Sequence, residues 1–261
     1  MSDSTQPGGG LDPGEFRDAK PRRWGDLRNR SVTAFAALLV VGTFIYAGGW
    51  WWLTFVVVAS LGIFREWLRL IFYRSGTKYA AWLLLGILYI FFCAYLFIDL
   101  RHRPNGIITL YSIIAGVIAT DTFAYFAGRF IGGKKIAPKI SPSKTWSGLL
   151  GGCMGAFLAT AVALLYVKEN HRFFGILDSL NDFNLIQLFF SSFFIGVFLA
   201  VIAQSGDFFE SWMKRLAGVK DSGRMLPGHG GLFDRVDGLL AVTLIAGGAE
   251  LLFSGVPGIF F

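Results

Sequence analysis

Charge is what this chain has least of. Asp, Glu, Lys and Arg make up only 16% of its 261 residues, where a soluble domain is nearer a quarter charged. Cysteine is almost absent. Cys93 and Cys153 each lie inside an apolar run, which excludes a disulfide framework and any zinc-ligand spacing. There is no Walker A sequence, no GxSxG elbow and no HExxH pair, so nothing marks a P-loop nucleotide site, a serine nucleophile or a zinc protease. No internal repeat is visible, and no inverted pair of broken helices of the kind that builds many transporters.

What the chain has instead is apolar length. Hydrophobic residues account for 54% of it, with 27 Phe and 8 Trp, and the mean hydropathy is +0.56. Apolar runs at 31–47, 50–64, 80–98, 107–127, 148–167, 185–205 and 238–256 approach the roughly 20 residues a helix needs to cross a bilayer. The expected fold class is therefore all-α, a polytopic integral membrane protein with about seven transmembrane helices (six to nine is the defensible range). The first two runs are short and separated only by a tight turn. Residues 1–30 are expected to be a disordered, basic, cytoplasmic tail, and 31–261 a single transmembrane domain. An acidic leader ahead of the first apolar run is unlike a cleaved signal peptide, so that run is expected to be retained as an anchor.

Loop charge orients the chain. With the amino terminus in the cytoplasm, the tail to Arg30 and the loops 65–78, 129–144 and 214–235 hold 20 of the 24 Lys and Arg. The other side keeps only Arg101, Arg103, Lys168 and Arg172. That bias follows the positive-inside rule. It also accounts for the net charge of +7 without a nucleic-acid partner, which is not expected.

The densest polar stretch runs from Gly206 to Asp237. It contains five acids (Asp207, Glu210, Asp221, Asp234, Asp237) and five bases (Lys214, Arg215, Lys220, Arg224, Arg235). Asp207, Glu210, Ser211 and Lys214 fall on one helical face, which taken alone could also be the wet side of an interfacial helix. PGHGG, residues 227–231, enforces turns, and its glycines would let backbone amides approach an anion. Asp234 and Asp237 then share a face at the start of the next helix, where helix-dipole partnership is the plainer reading. Asp207 and Asp234 come from separate elements at one depth, and hard carboxylates so placed suit Mg²⁺ on substrate phosphates. His229 either faces phosphate or completes the turn.

A second polar stretch lies upstream. Asp121, Tyr125, Gly128, Arg129 and Gly132 form one helical stripe, on which glycine permits close approach of a helix or ligand. Asp121 sits in an otherwise apolar run and needs a partner or a water-filled pocket; Arg129, two turns on, is the simple partner. Lys134, Lys135, Lys139 and Lys144 come next, in what reads as an irregular loop suited to a polyanion. A reaction between phosphates needs no covalent protein nucleophile, only positioning and charge.

These two stretches together resemble the phosphatidate cytidylyltransferases, also called CDP-diacylglycerol synthases. The downstream signature reads Ser211, Lys214, Arg215, Lys220, Asp221, Pro227, Gly228, His229, Gly230, Gly231, Asp234, Arg235 and Asp237. The upstream one reads Asp121, Ala124, Tyr125, Gly128, Arg129, Ile140, Ser141, Pro142, Lys144 and Thr145. The resemblance implies an enzyme of phospholipid biosynthesis that joins CTP to phosphatidate, releasing pyrophosphate, in the bacterial cytoplasmic (inner) membrane. It implies Mg²⁺, with a monovalent cation such as K⁺ beside it in some members, and a homodimer. Asp207 and Asp234 correspond to the family's metal-binding acids, with Asp121 and Asp237 as supporting ligands and Lys144 and Arg235 joining Asp207 and Asp234 as catalytic candidates. The remaining residues of the two signatures, among them Tyr125, Arg129, Ser141, Thr145, Ser211, Lys214, Arg215, Lys220, Asp221 and Gly228 to Gly231, are the candidates for substrate binding. The chain departs from the family at Ser147, where glutamate is frequent, and at Gly238, where serine is frequent. A membrane transferase acting on an isoprenoid lipid is the neighbouring alternative. A cation-coupled transporter using Asp121 and Asp207 is the distant one.

Overall fold

The computed structural model describes residues 24–72, 79–103, 105–169, 184–223, 225 and 230–253. The chain divides into two compact units, residues 1–39 and 40–261. In the first unit, residues 24–39 belong to helix α1 (Trp24–Ala47). The rest of α1 and all other elements lie in the second: α2 (Gly49–Phe72), α3 (Tyr79–His102), α4 (Gly106–Phe130), strands β1 (Lys135–Ala137) and β2 (Ser141–Thr145), α5 (Trp146–Glu169), α6 (Leu185–Leu216) and α7 (Phe233–Phe253).

The protein is thus an all-α polytopic membrane protein carrying one small hairpin. Each expected span falls within a helix, except that residues 254–256 of the last one lie outside the described residues. Among the described residues four helices, α3 to α6, are long and apolar enough to cross a membrane. The apolar part of α1, Ala34–Ala47, is shorter, and α2 and α7 are interrupted by charge at Arg65, Glu66 and Arg69 and at Asp234, Arg235 and Asp237. Two expectations are corrected. Residues 24–30, assigned to the tail, are helical, and residues 1–23 lie outside the described ones. The supposedly irregular lysine loop contains an antiparallel hairpin pairing Lys135 with Thr145 and Ala137 with Ser141.

Close packing comes from small residues, as expected where helices cannot rely on a water-driven hydrophobic effect. On α5, Gly155 lies so close to α4 that a Cβ there would come within 2.5 Å of the Ala119 carbonyl. On α6, a Cβ at Gly206 would lie 2.5 Å from the Asp237 carbonyl and 2.8 Å from Ala241 Cβ. Gly206 therefore brings the stretches of α6 and α7 that carry Asp207 and Asp237 together. A buried cluster of Trp67, Leu70, Ile90, Met213, Phe233 and Leu240 supports the polar end of the bundle from below.

Opposite ends of the bundle are closed differently. At one, Arg101 donates from Nε to the Ile45 carbonyl at 2.7 Å, filling an acceptor that the end of α1 would otherwise leave open. At the other, the ends of α2, α4 and α6, the hairpin and the start of α7 meet. Arg215 Nε reaches the Ile140 carbonyl there at 3.2 Å.

Candidate active site

The two polar stretches meet through an ion pair. Lys144, the fourth residue of β2, reaches Asp207 on α6, across 63 positions of sequence. β2 runs directly into α5, and the first turn of that helix anchors the strand that carries the lysine. Thr145 Oγ1 accepts the Gly148 amide at 3.0 Å, capping that turn. Ser147 Oγ donates to the Gly132 carbonyl and lies 3.0 Å from Thr145 Oγ1. Ser147, standing where the resembled family often has glutamate, ties the hairpin to the helix.

Burial by itself would weaken Lys144's hold on its proton. The charge and hydrogen bond of Asp207, with Asp121 and Asp237 nearby, more than reverse this and hold its pKa above that of an ordinary lysine. Lys144 is therefore a permanent cation facing three carboxylates. Asp121 is within electrostatic reach of Asp207, Lys144 and Arg235, and the carboxyls of Asp207 and Asp237 adjoin.

A cavity of about 450 Å³ opens beside this group. Its wall includes Asp121, Tyr125, Gly128 and Arg129 from α4, Lys135 and Ser143 to Thr145 from the hairpin, Gly148 from α5, and Gln204 and Asp207 from α6. The stripe read from sequence is thus real as far as Arg129. Gly132 lies beyond the helix, with φ of 67°. Arg129 does not pair with Asp121 in the described contacts: its Nη1 donates to Tyr125 Oη at 2.8 Å. Asp121 is left facing the cavity. Gly128 meets the junction of β2 and α5, where a Cβ would come within 3.0 Å of Thr145 Oγ1.

The second half of the site is a separate cluster. Lys214 donates to Glu210 at 2.5 Å and to Asp234 at 2.7 Å. Asp234 also accepts the amides of Ser222 at 3.0 Å and Gly231 at 2.8 Å. Asp207 thus pairs with Lys144 and adjoins Asp237, whereas Asp234 belongs with Lys214. Asp237 bridges the clusters, since Glu210 is also within its electrostatic reach. The other sequence candidates scatter. Ser141 is buried in β2 and Ser211 half-buried on α6, while Arg215, Lys220 and Asp221 are exposed. Gly230 adopts φ of 85°, a conformation that suits glycine. Gly228 and His229 lie outside the described residues.

Of the PGHGG turn, residues 227–229 lie outside the described residues. The Gly231 amide donates to Asp234, and just past the turn the amides of Leu232 and Phe233 donate to Glu66. Glu66 was not singled out from sequence, and neither was Gln204, which lines the cavity while its Nε2 is buried without a hydrogen-bond partner. The signal for both was the one applied to Asp121, a polar side chain inside an apolar run.

The donor set suits a hard divalent cation in its chemistry. Asp121, Asp207 and Asp237 bring carboxylate oxygens towards one another, and Glu210 Oε1 is a buried carboxylate oxygen without a hydrogen-bond partner. Among the described residues no three such groups are already gathered as a metal cage. Mg²⁺ does not require one, because it commonly takes one or two protein carboxylates and completes its shell with substrate phosphates and water.

Comparison with known proteins shows the family. The Cytidylyltransferase family profile matches residues 75–247, a span that includes both polar stretches. A protein of Brucella suis named phosphatidate cytidylyltransferase is 34% identical over 250 residues, covering 91% of this chain and 83% of its own. Proteins of the same name from Rickettsia typhi and Rickettsia conorii are 34% and 35% identical, over 87% and 73% of this chain and 94% and 76% of theirs. With a profile covering more than half the chain and relatives aligned over most of their length, the chain belongs to the cytidylyltransferase family.

Proposed function

We propose that the protein transfers the cytidylyl group of CTP to phosphatidate, giving CDP-diacylglycerol and pyrophosphate. The observation that carries this reading is the Lys144–Asp207 pair, which makes one site of two sequence stretches whose residues suit phosphates. A phosphate oxygen of the lipid attacks the α-phosphorus of CTP, and the bond from that phosphorus to the bridging oxygen of the β-phosphate breaks. The electron pair leaves with pyrophosphate. No proton need be removed from the nucleophile, which is already an anion at neutral pH.

The chain's own groups have distinct parts to play. Lys144 and Lys135, with Arg129, supply positive charge on the cavity wall, where preorganised cations count for more than in water. Arg235, within reach of Asp121, adds to it from α7. Asp207 and Asp237, with Asp121 beside them, would hold Mg²⁺ on one side, and Asp234 would hold it on the other if Lys214 yields. When bound, that ion would neutralise phosphate charge and favour departure of pyrophosphate. The cavity opens beside α4, whose exposed Tyr125 and Phe126 suit entry of a lipid from the bilayer.

Loop charge supports a cytoplasmic position for this end of the bundle, where CTP arrives, and the inner membrane is carried forward from the family resemblance. A homodimer and a monovalent cation beside Mg²⁺ are carried forward from the family resemblance. Membership of a cytidylyltransferase family displaces the transporter reading. The lipid acceptor is tested by offering purified protein CTP and Mg²⁺ with phosphatidate or an isoprenyl phosphate. CDP-diacylglycerol is the expected product, and selective use of the isoprenyl phosphate would overturn the assignment.

A further inference from the structure

Glu66 lies on α2, outside both polar stretches, and is only 5% exposed. Its Oε1 accepts the Leu232 amide at 3.0 Å. Its Oε2 accepts the Phe233 amide at 2.8 Å and the Ser222 hydroxyl at 3.0 Å. All three donors belong to the segment that joins α6 to α7 and to the first residue of α7. The segment is shaped around this carboxylate. A Cβ on Gly223 would overlap Oε1, and one on Gly231 would lie 2.5 Å from Oε2. One turn earlier on α2, a Cβ on Gly62 would be 3.2 Å from Met225 and 3.4 Å from Leu232, so the helix face is shaped to receive the same segment.

Asp234 grips that segment from its other side, through the amides of Ser222 and Gly231. Ser222 is therefore shared, giving its hydroxyl to Glu66 and its amide to Asp234. The amides at the start of a helix have no intrahelical partner. Here a buried carboxylate from a distant helix takes two of them, and a charge-assisted bond of this kind is stronger than a neutral one.

We propose that Glu66 is a positioning residue. It holds Ser222 beside Leu232 and Phe233, so that α7 begins where Asp234 meets Lys214 and Asp237 meets Asp207. It acts through those residues. The consequence for turnover rests on the cytidylyl-transfer reading, whereas the clasp itself does not. A purely structural glutamate would change how much enzyme is folded. A positioning glutamate also changes how the folded enzyme responds to Mg²⁺ and CTP.

The test compares full-length wild type, Glu66→Gln, Glu66→Ala and Ser222→Ala in detergent. Hydrogen exchange is first measured without nucleotide, lipid or metal, with the α4–α5 pair as internal reference. Loss of bonds to a buried carboxylate predicts exchange at Leu232 and Phe233 about 10- to 100-fold faster in Glu66→Ala. Glu66→Gln, which keeps one acceptor oxygen, and Ser222→Ala, which removes one donor, fall between it and wild type. Steady-state assays then give half-saturating Mg²⁺ and CTP, expected to rise about tenfold or more in Glu66→Ala. Unchanged exchange at these amides, or a fall in maximal rate alone with unchanged half-saturation, overturns the proposal. If Glu66→Ala does not fold, Glu66→Gln and Ser222→Ala decide it by the same two criteria. A wild type that makes no CDP-diacylglycerol would refute the reaction assigned to the site, and the exchange measurement would still decide the clasp.

Discussion

Replacing Lys144 with methionine removes the cation between Asp207 and its neighbouring acids while keeping much of the side chain's length. The ion pair is partly sheltered, with 24% of the lysine and 18% of the aspartate side chain exposed. Breaking a fully buried pair costs about 3–5 kcal/mol, and exposed pairs contribute about 0–1. A loss of about 1–3 kcal/mol of stability lies between these limits. Catalysis loses more, because a preorganised charge on the reacting phosphates contributes on the order of 10²–10³ in rate. The two effects differ in how they respond to metal. Without the lysine, Asp121, Asp207 and Asp237 are less neutralised and attract a divalent cation more strongly. The rise in melting temperature on adding Mg²⁺ is therefore expected to be larger in Lys144→Met than in wild type, while CDP-diacylglycerol formation falls. Thermal melts in detergent with a Mg²⁺ titration, beside a product assay, measure both. A variant with wild-type turnover, or one whose response to Mg²⁺ shrinks, would refute the role given to Lys144.

Single residues elsewhere carry further consequences. Because the folded protein holds the Lys144 pKa above its ordinary value, the lysine's contribution is complete below the unfolded lysine pKa of about 10.4 and is lost only as pH rises through the higher folded value. The stability gap between wild type and Lys144→Met should thus stay level from neutral pH to about 9, and denaturant melts across that range check it. Gln204→Met removes a buried amide nitrogen that has no partner and should raise stability by about 1 kcal/mol or more while reducing turnover. Melting temperature and rate measured together test this, and equal or lower stability would count against it. Gly206→Leu must push α6 from α7 at the Asp237 carbonyl, costing about 1–3 kcal/mol and most of the activity, measured by melting and product formation. Arg101→Leu, at the opposite end of the bundle, should lose about 1–3 kcal/mol from the orphaned Ile45 carbonyl without altering half-saturating CTP.

Much of the helical architecture was legible in the sequence because long apolar runs have few other solutions. Local rules were weaker where elements meet. Charge near Arg28 and Arg30 suggested a tail, yet α1 begins at Trp24, since a helix can start well before the apolar stretch it carries. The lysine loop looked irregular because Pro and Gly punctuate it, but Lys135 and Thr145 pair across the turn. Within the site, Asp121, Lys144 and Asp207 were recognisable from residue type and spacing. Their convergence followed only from the family resemblance, because the Lys144–Asp207 pair spans 63 positions. Glu66 is the clearest omission. Its partners lie 156 to 167 positions away, and its immediate neighbours, Arg65 and Trp67, suggest only a helix reaching the membrane surface. Spacing also grouped Asp234 and Asp237 on one face of α7, whereas the fold gives them different partners, Lys214 for one and Asp207 for the other.

The most direct test of cytidylyl transfer at this joined site tracks the phosphorus. CTP labelled at the α- or the γ-phosphate is incubated with phosphatidate, Mg²⁺ and wild type, Asp207→Asn or Asp234→Asn. The account predicts that wild type moves the α-label into a chloroform-soluble product and the γ-label into pyrophosphate, one for one, and that either substitution abolishes both transfers. An α-label that stays in the aqueous phase with wild type, or an undiminished yield of labelled lipid from both variants, would contradict it.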